Sequence, residues 1–149
     1  MNSKKELLQQ CQKYVNKRLQ TVKDIITDNQ KALQSETKSS AGDKHETGRA
    51  MLQLEMEKAS QQLAGINEMK AILERMTISK ISKTAHLGSI IITDKANYFL
   101  SISAGQLTVA DKKYFAISVF SPIGKILLGK KENDVISFNG KTIKIVSIT

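Results

Sequence analysis

The sequence contains almost none of the residues that build disulfides or zinc sites. Its 149 residues include one cysteine, two histidines, one proline and no tryptophan. A single cysteine excludes an intramolecular disulfide, and so few scattered Cys and His residues form no zinc constellation. No apolar run approaches the roughly 20 residues that cross a bilayer, and the N-terminus is charged rather than apolar. We therefore expect a cytoplasmic protein that has no contact with a membrane.

Acidic residues are also scarce relative to basic ones. The chain carries 23 Lys and Arg residues against 14 Asp and Glu residues, which gives a net charge of +9 and a sequence pI near 9.7. The excess is concentrated in residues 77–149, where ten basic residues stand against four acidic ones. Such a charge favours an anionic partner, for example nucleic acid or a ribonucleoprotein machine.

Glycine and proline are absent from residues 3–33, which favours a single uninterrupted helix. Apolar residues recur there at steps of three or four, apart from one polar gap at Asn29 and Gln30. They are Leu8, Cys11, Val15, Leu19, Val22, Ile26 and Leu33. This narrow apolar stripe is typical of a coiled-coil seam, and Cys11 on it is predicted to be a packed thiol.

Residues 46–76 repeat the pattern, so a second helix is predicted. Its stripe consists of Leu52, Met56, Ala59, Leu63, Ile66, Lys70 and Leu73. Residues 39–48, between the two runs, are rich in Ser, Gly and Asp, which is the composition of a turn. Because neither helix has enough apolar surface to be stable alone, we predict that residues 1–76 form an antiparallel coiled coil with an acidic tip near residues 39–48.

After residue 76 the apolar period changes from helical to alternating, which predicts strands. The segments rich in β-branched and aromatic residues are 87–93, 97–102, 106–109, 113–119, 135–138 and 142–148. Ser121, Pro122 and Gly129 are placed to cap, begin and end a short helix. An Asn-Gly pair at 139–140 predicts a two-residue hairpin turn. The predicted fold class is α+β, with the helical hairpin followed, in residues 77–149, by a small antiparallel sheet and one short helix.

Two carboxylates, Asp43 and Glu46, mark the predicted tip. Their spacing matches an N-terminal capping pattern, in which the first accepts a hydrogen bond from a backbone N–H and the second reaches back. The same carboxylates are suitable ligands for Mg²⁺, which prefers oxygen. The sequence is compatible with both capping and metal binding. His45 between them could assist a metal or carry a proton, although an exposed loop histidine usually does neither.

The segment between residues 117 and 135 resembles part of the C-terminal domain of the bacterial Gre transcript-cleavage factors. Those factors carry an Ile-Ser-Val-x-Ser-Pro-Ile progression, then Leu-x-Gly-Lys, then Asp-Val. The matching runs here are Ile117-Ser118-Val119-Phe120-Ser121-Pro122-Ile123, Leu127-Leu128-Gly129-Lys130 and Asp134-Val135. Gly42-Asp43-x-x-Glu46 is also similar to the Gre tip, and it lies at a similar distance from the N-terminus. The resemblance therefore spans nearly the whole chain.

This resemblance implies a cofactor of RNA polymerase rather than an enzyme. Residues 77–149 would have a fold like that of FK506-binding proteins and would dock at the rim of the polymerase secondary channel. The docking residues that the motif implies are Ser121, Pro122, Ile123, Gly124, Lys125 and Lys130. We expect the protein to act as a monomer.

The resemblance also implies a role for the tip. The coiled coil would enter the channel, where Asp43 and Glu46 act as the catalytic carboxylates that help to hold Mg²⁺ beside the 3′ end of backtracked nascent RNA. Two carboxylates are an incomplete metal site. The Mg²⁺ is therefore expected to be shared with the polymerase active site and not to bind stably to this protein alone.

The tip differs from the family pattern in two places. A typical cleavage factor reads Gly-Asp-Leu-x-Glu-Asn-Ala-Glu-Tyr, whereas this chain has Arg49 and Ala50 where the last acid and the tyrosine stand. The alternative is therefore a polymerase-binding regulator or inhibitor that does not stimulate cleavage. A third hypothesis, an interaction module unrelated to polymerase, predicts no co-purification with the core enzyme. Peptidyl-prolyl isomerase activity is not predicted, because a fold alone does not carry an activity.

Overall fold

The computed structural model describes residues 3–38 and 43–149, and for residues 36–38 and 43–46 it describes the helical backbone only. Two helices come first, α1 (Ser3–Lys38) and α2 (Asp43–Arg75), and they form a helical hairpin. A six-stranded sheet with one short helix follows. The predicted fold class, a long helical hairpin followed by a small sheet domain, is confirmed. Residues 39–42, the first part of the predicted tip, lie outside the described residues.

The chain divides into two compact units. One is Val15–Lys70, which contains the larger part of both helices. The other combines Ala71–Thr149 with Met1–Tyr14, so it contains the sheet together with the beginning of α1 and the end of α2. The sequence predicts a division at residue 76, where the apolar period changes. The two compact units instead divide within the helices, after Tyr14 in α1 and after Lys70 in α2.

The seam between the helices follows the two apolar stripes closely. In the helical unit, its buried apolar residues are Val15, Val22, Ala59 and Ile66. Two predicted positions differ. Lys70 is exposed and its neighbour Met69 is half-buried instead, because a lysine ammonium stays in water. Leu7 rather than Leu8 is buried, because the beginning of α1 belongs to the unit that contains the sheet and buries a different face there.

Asn29 fills the polar gap in the α1 stripe, and only 8% of its surface is exposed. Its Nδ2 has no hydrogen-bond partner among the described residues. An open cavity of about 440 Å³ lies at this point, lined by Asn29 and Ile25 of α1 and by Glu55 and Ala59 of α2. A buried amide hydrogen without a partner costs about 1–3 kcal/mol. An apolar side chain of similar size at this seam position would therefore stabilise the helical unit more than Asn29 does.

We expect Asn29→Leu to raise the free energy of unfolding of the helical unit by about 1–2 kcal/mol, because leucine removes the unpaired donor and adds apolar burial. The measurement is thermal unfolding of the full chain, followed by the helical circular dichroism signal. Asn16→Leu is the control, since Asn16 is exposed on the same helix and should change stability by less than about 0.5 kcal/mol. If Asn29→Leu were no more stable than the wild type, the Asn29 Nδ2 would not lack a hydrogen-bond partner in solution.

The unit with the sheet contains every strand that the sequence predicts. The strands are β1 (Ile90–Thr93), β2 (Asn97–Ser101), β3 (Gly105–Val109), β4 (Lys112–Ser118), β5 (Val135–Phe138) and β6 (Lys141–Ile148). Their order in the sheet is β3-β4-β2-β1-β6-β5. The pairs are antiparallel, as predicted, except that β2 and β4 are parallel. β3 and β4 form an antiparallel hairpin, and β4 rather than β3 lies beside β2. Because β3 runs opposite to β2, β4 runs in the same direction as β2.

The predicted turn and helix boundaries are also observed. Asn139 and Gly140 both have positive φ, 52° and 75°, as a two-residue turn between β5 and β6 requires. The short helix α3 spans Pro122–Leu127, and Gly129 follows it at φ 81°. Glycine tolerates this left-handed backbone, so the chain can leave the helix there.

The sheet buries residues on both of its faces. A cluster that includes Leu127 of α3 covers one face: Ala85, Ile91, Leu100, Val119, Leu127, Ile136, Ile143, Ile145 and Ile148. Phe99 and Ser101 alternate with Leu100 along β2, so they lie on the opposite face, where both are fully buried. Cys11 of α1 is buried on that side, with its Sγ 3.8 Å from the Ser101 Oγ. Burial raises the pKa of the Cys11 thiol, and the predicted packed thiol is confirmed.

Candidate functional site

A tight turn at residues 118–121 connects β4 to α3. The Ser118 carbonyl oxygen accepts hydrogen bonds from the backbone N–H of Ser121 at 3.0 Å and from its hydroxyl at 2.6 Å. The Ser118 hydroxyl accepts a hydrogen bond from the backbone N–H of Phe120 at 3.0 Å. Two serine side chains therefore satisfy the polar groups between the strand and the helix, and they fix the backbone on both sides of Phe120.

Ser121 caps α3 as predicted. Its backbone is extended, with φ −70° and ψ 158°, and its Oγ accepts a hydrogen bond from the Gly124 N–H at 3.1 Å. Pro122 is the first helical residue, where a missing N–H does no harm and the fixed φ suits the helix. Gly124 is buried, and a Cβ there would overlap the Ser118 carbonyl oxygen. Only glycine fits beneath the turn.

The turn leaves apolar side chains in contact with solvent. Phe120 is 63% exposed, and Pro122 is exposed as well. Ile123 packs partly against the core cluster, whereas Lys125 of α3 is exposed. Phe120, Pro122 and Lys125 are named the turn surface here. A large aromatic side chain held in solvent by a rigid turn is the kind of group that protein interfaces bury.

The Gly-Lys and Asp-Val parts of the motif hold the chain after α3. The Lys130 N–H donates to the Leu127 carbonyl at 3.1 Å, and the Lys130 carbonyl accepts from the Ala85 N–H at 2.8 Å. The Asp134 carboxylate accepts from the Lys131 N–H at 2.8 Å. These bonds fix the backbone at Lys130 and Lys131, so this part of the motif has a structural role.

The six predicted docking residues differ in exposure. Pro122 and Lys125 are exposed, Ser121, Ile123 and Lys130 are half-buried, and Gly124 is buried. A buried glycine can contribute to a docking surface only by positioning its neighbours. The most exposed large hydrophobic residue of the segment, Phe120, is not among the six. If the alternation of β4 continued, Phe120 would lie on the same face of the sheet as the buried residues Tyr114 and Ala116. The turn at residues 118–121 ends the alternation, and Phe120 is exposed to solvent.

The predicted tip carboxylates lie at the beginning of α2. Asp43 is its first residue, and Glu46 lies three residues on, in the first turn. The positions of their side chains, and that of His45, lie outside the described residues, so neither capping nor metal binding is tested there. Arg49 and Ala50 stand where the pattern of the Gre factors has an acid and a tyrosine, and both are exposed.

Among the residues whose side chains are described, no group of three or more His, Cys, Asp and Glu residues is arranged to hold a metal ion. No helix in the described ranges is both long enough and apolar enough to cross a membrane.

The fold and the turn surface together define a class: a helical hairpin joined to a small mixed-sheet domain that displays an exposed apolar turn. No protein-family model matches the chain, and no curated protein sequence matches it either. One similar solved structure is the prokaryotic transcription elongation factor GreA/GreB from Nitrosomonas europaea. It shares 21% sequence identity over 57% of this chain and 79% of its own, with a TM-score of 0.34.

Proposed function

We propose that this protein is a Gre-like transcription elongation factor that binds RNA polymerase at the secondary channel and promotes cleavage of backtracked RNA in the polymerase's own active site. The observation that carries the proposal is the turn surface. Its Phe120 is 63% exposed in the middle of the segment that resembles the Gre docking motif. The protein would be a cytoplasmic cofactor without an active site of its own.

The turn surface has the properties of a binding anchor. A rigid aromatic side chain loses little conformational entropy when it is buried, and such residues contribute a large part of the binding energy at interfaces. Lys125 lies on the same short helix and carries a positive charge that an acidic patch on the polymerase would complement. Added salt should therefore weaken binding, because it screens this attraction.

The tip would supply carboxylates to a shared metal site. Positions 43 and 46 lie one turn apart at the beginning of α2, so they share a face of the helix. The partial positive charge at a helix N-terminus favours ionised carboxylates, which are the form that binds Mg²⁺. When bound, Mg²⁺ would supply stabilisation of negative charge on the oxygens of the scissile phosphate. Asp43 and Glu46 would complete its coordination with ligands from the polymerase.

The experiment that tests the proposal uses a reconstituted elongation complex in which RNA polymerase has backtracked. We expect the protein to co-purify with the core enzyme and to increase the rate at which the labelled RNA loses its 3′ end. Absence of binding to the core enzyme would refute the proposal and favour an interaction module unrelated to polymerase.

A second candidate function is a channel-binding regulator that does not stimulate cleavage. The exposed Arg49 and Ala50 favour it, because they place a positive charge and a small side chain where typical cleavage factors have an acid and a tyrosine. The two functions separate in the same experiment. The regulator would bind the core enzyme with the same dependence on the turn surface but would leave the cleavage rate unchanged or lower it.

We expect Phe120→Ala to weaken binding to core RNA polymerase by about tenfold or more, because the variant loses the apolar anchor. Its free energy of unfolding should change by less than about 0.5 kcal/mol, since the side chain makes few contacts within the protein. The measurement is competition of the unlabelled variant with fluorescently labelled wild type for the core enzyme. Val146→Ala is the control, because Val146 is an exposed apolar residue elsewhere on the sheet, 52% exposed. Full affinity of Phe120→Ala would remove the turn surface from the interface.

A further inference from the structure

A second surface of the unit that contains the sheet is a groove of about 630 Å³ on the face opposite α3. Its floor is apolar. Ile90 and Ile92 alternate with Ile91, which packs in the α3 cluster, so both point to the other side of the sheet, and Tyr114 of β4 lines the same groove. Ile92 is half-buried and stays accessible to a partner, whereas Ile90 and Tyr114 are 6% and 5% exposed and add little contact surface.

The rim of the groove carries an unusually exposed aliphatic residue. Ile81, which follows α2 in a segment without regular structure, is 83% exposed and lines the groove together with Ile78. The position of the segment is fixed in part by Lys4, whose Nζ donates to the Lys80 carbonyl at 3.2 Å. Single exposed apolar residues are common on surfaces, but one that borders an apolar groove adds to a continuous patch.

Three lysines surround the apolar floor: Lys4, Lys5 and Lys112. None of the described residues that line the groove has a carboxylate side chain. The side chains that line the groove therefore include three basic groups and no acidic one. Burial lowers the pKa of the Lys4 ammonium group, so Lys5 and Lys112 carry the charge argument more firmly than Lys4 does. Carboxylates of a partner would complement this charge.

Nucleic acid fits the groove less well than protein does. Binding of single-stranded nucleic acid without sequence preference uses aromatic side chains on which bases stack, and recognition of phosphates and base edges favours arginine. The groove has no arginine among its described lining residues, and its one aromatic residue, Tyr114, is 5% exposed and so presents no face for stacking. An apolar floor with a lysine rim can bind a segment whose leucine-like side chains contact the floor and whose carboxylates pair with the lysines.

We propose that this groove binds an acidic protein segment that carries apolar anchors between its carboxylates. Apolar side chains of the segment enter the floor beside Ile81, and the carboxylates pair with the three lysines. The turn surface has no part in this interaction. The proposal therefore stands whether or not the protein binds RNA polymerase.

The test uses the full chain and a fluorescein-labelled synthetic peptide in which Asp and Glu alternate with Leu. A second peptide, in which each Leu is replaced by Ser, keeps the charge and removes the anchors. A single-stranded oligonucleotide of the same length is the third probe. We expect fluorescence anisotropy to show binding of the leucine peptide about tenfold tighter than that of the other two probes, because only this peptide offers both apolar anchors and carboxylates.

Variants locate the site. We expect Ile81→Ser to weaken binding of the leucine peptide by about tenfold and Lys112→Glu by about threefold to fivefold. Both residues are exposed, so neither change should unfold the protein. Val146→Ser and Lys144→Glu, matched changes at exposed positions of β6 outside the groove, should leave binding within about twofold of the wild type.

Four results would overturn the proposal: no binding of the leucine peptide at millimolar concentration, equal binding of the serine peptide, tighter binding of the oligonucleotide, or an affinity that Ile81→Ser does not change. Tighter binding of the oligonucleotide would identify the groove as a nucleic-acid site instead.

Discussion

Asp43→Asn is expected to reduce RNA cleavage by backtracked polymerase to the rate of the polymerase alone, while the protein stays folded and bound. Asparagine has nearly the shape of aspartate and caps a helix about as well, so the free energy of unfolding should change by less than about 1 kcal/mol. It lacks the negative charge with which a carboxylate holds Mg²⁺. Labelled RNA in a backtracked complex, with the variant at saturating concentration, provides the measurement.

The control is Asp28→Asn, because Asp28 is an exposed aspartate on α1 that has no place at the predicted tip. It should leave the cleavage rate unchanged, which separates the loss of one carboxylate at position 43 from a general loss of negative charge on the hairpin. Unaltered stimulation by Asp43→Asn would exclude the metal role. It would leave Asp43 with the capping role that its position at the beginning of α2 also allows.

Gly124→Ala is expected to destabilise the unit that contains the sheet by about 2–3 kcal/mol, which corresponds to a decrease in Tm of roughly 8–20 °C. The added methyl group has no space, because it would meet the Ser118 carbonyl oxygen and the Ser121 hydroxyl. The backbone of the turn would have to move, and the exposed position of Phe120 would change with it. Binding to polymerase should therefore weaken as well.

Tyrosine fluorescence measures this effect selectively. The chain has no tryptophan and three tyrosines, and all three, Tyr14, Tyr98 and Tyr114, belong to the unit that contains the sheet. Gly65→Ala is the matched control, because nothing lies within 4 Å of a Cβ at this helical position. Alanine should stabilise α2 there by up to about 1 kcal/mol, which the helical circular dichroism signal would report because Gly65 lies in the helical unit. The same substitution is therefore expected to have opposite signs at the two glycines. If Gly124→Ala unfolded at the wild-type temperature, the turn would have more space than the structure gives it.

Apolar periodicity was sufficient to predict the elements of this fold. The steps of three and four in α1 and α2, the alternation in β1 to β6, and the Ser-Pro and Asn-Gly pairs are local signals, and each corresponds to the observed structure. They work because backbone geometry imposes the periods of 3.6 and 2 residues on any side chains that face a core. The same signals could not decide between Leu7 and Leu8, because both positions lie close to the buried face of one helix turn and the sheet selects between them.

Contacts between residues far apart in the sequence decided the rest. The parallel pairing of β2 with β4 depends on the path of the chain around β3. The groove beside Ile81 exists because the beginning of α1, the segment after α2 and three strands meet there, and no stretch of sequence contains that combination. The exposure of Phe120 arises because the turn at residues 118–121 interrupts the alternation of β4. The sequence by itself determined which segments are helix and strand and where the short helix α3 begins and ends, because these follow from local backbone geometry. Only the tertiary structure decided which side chains remain in solvent to meet a partner, because exposure depends on what packs against each residue.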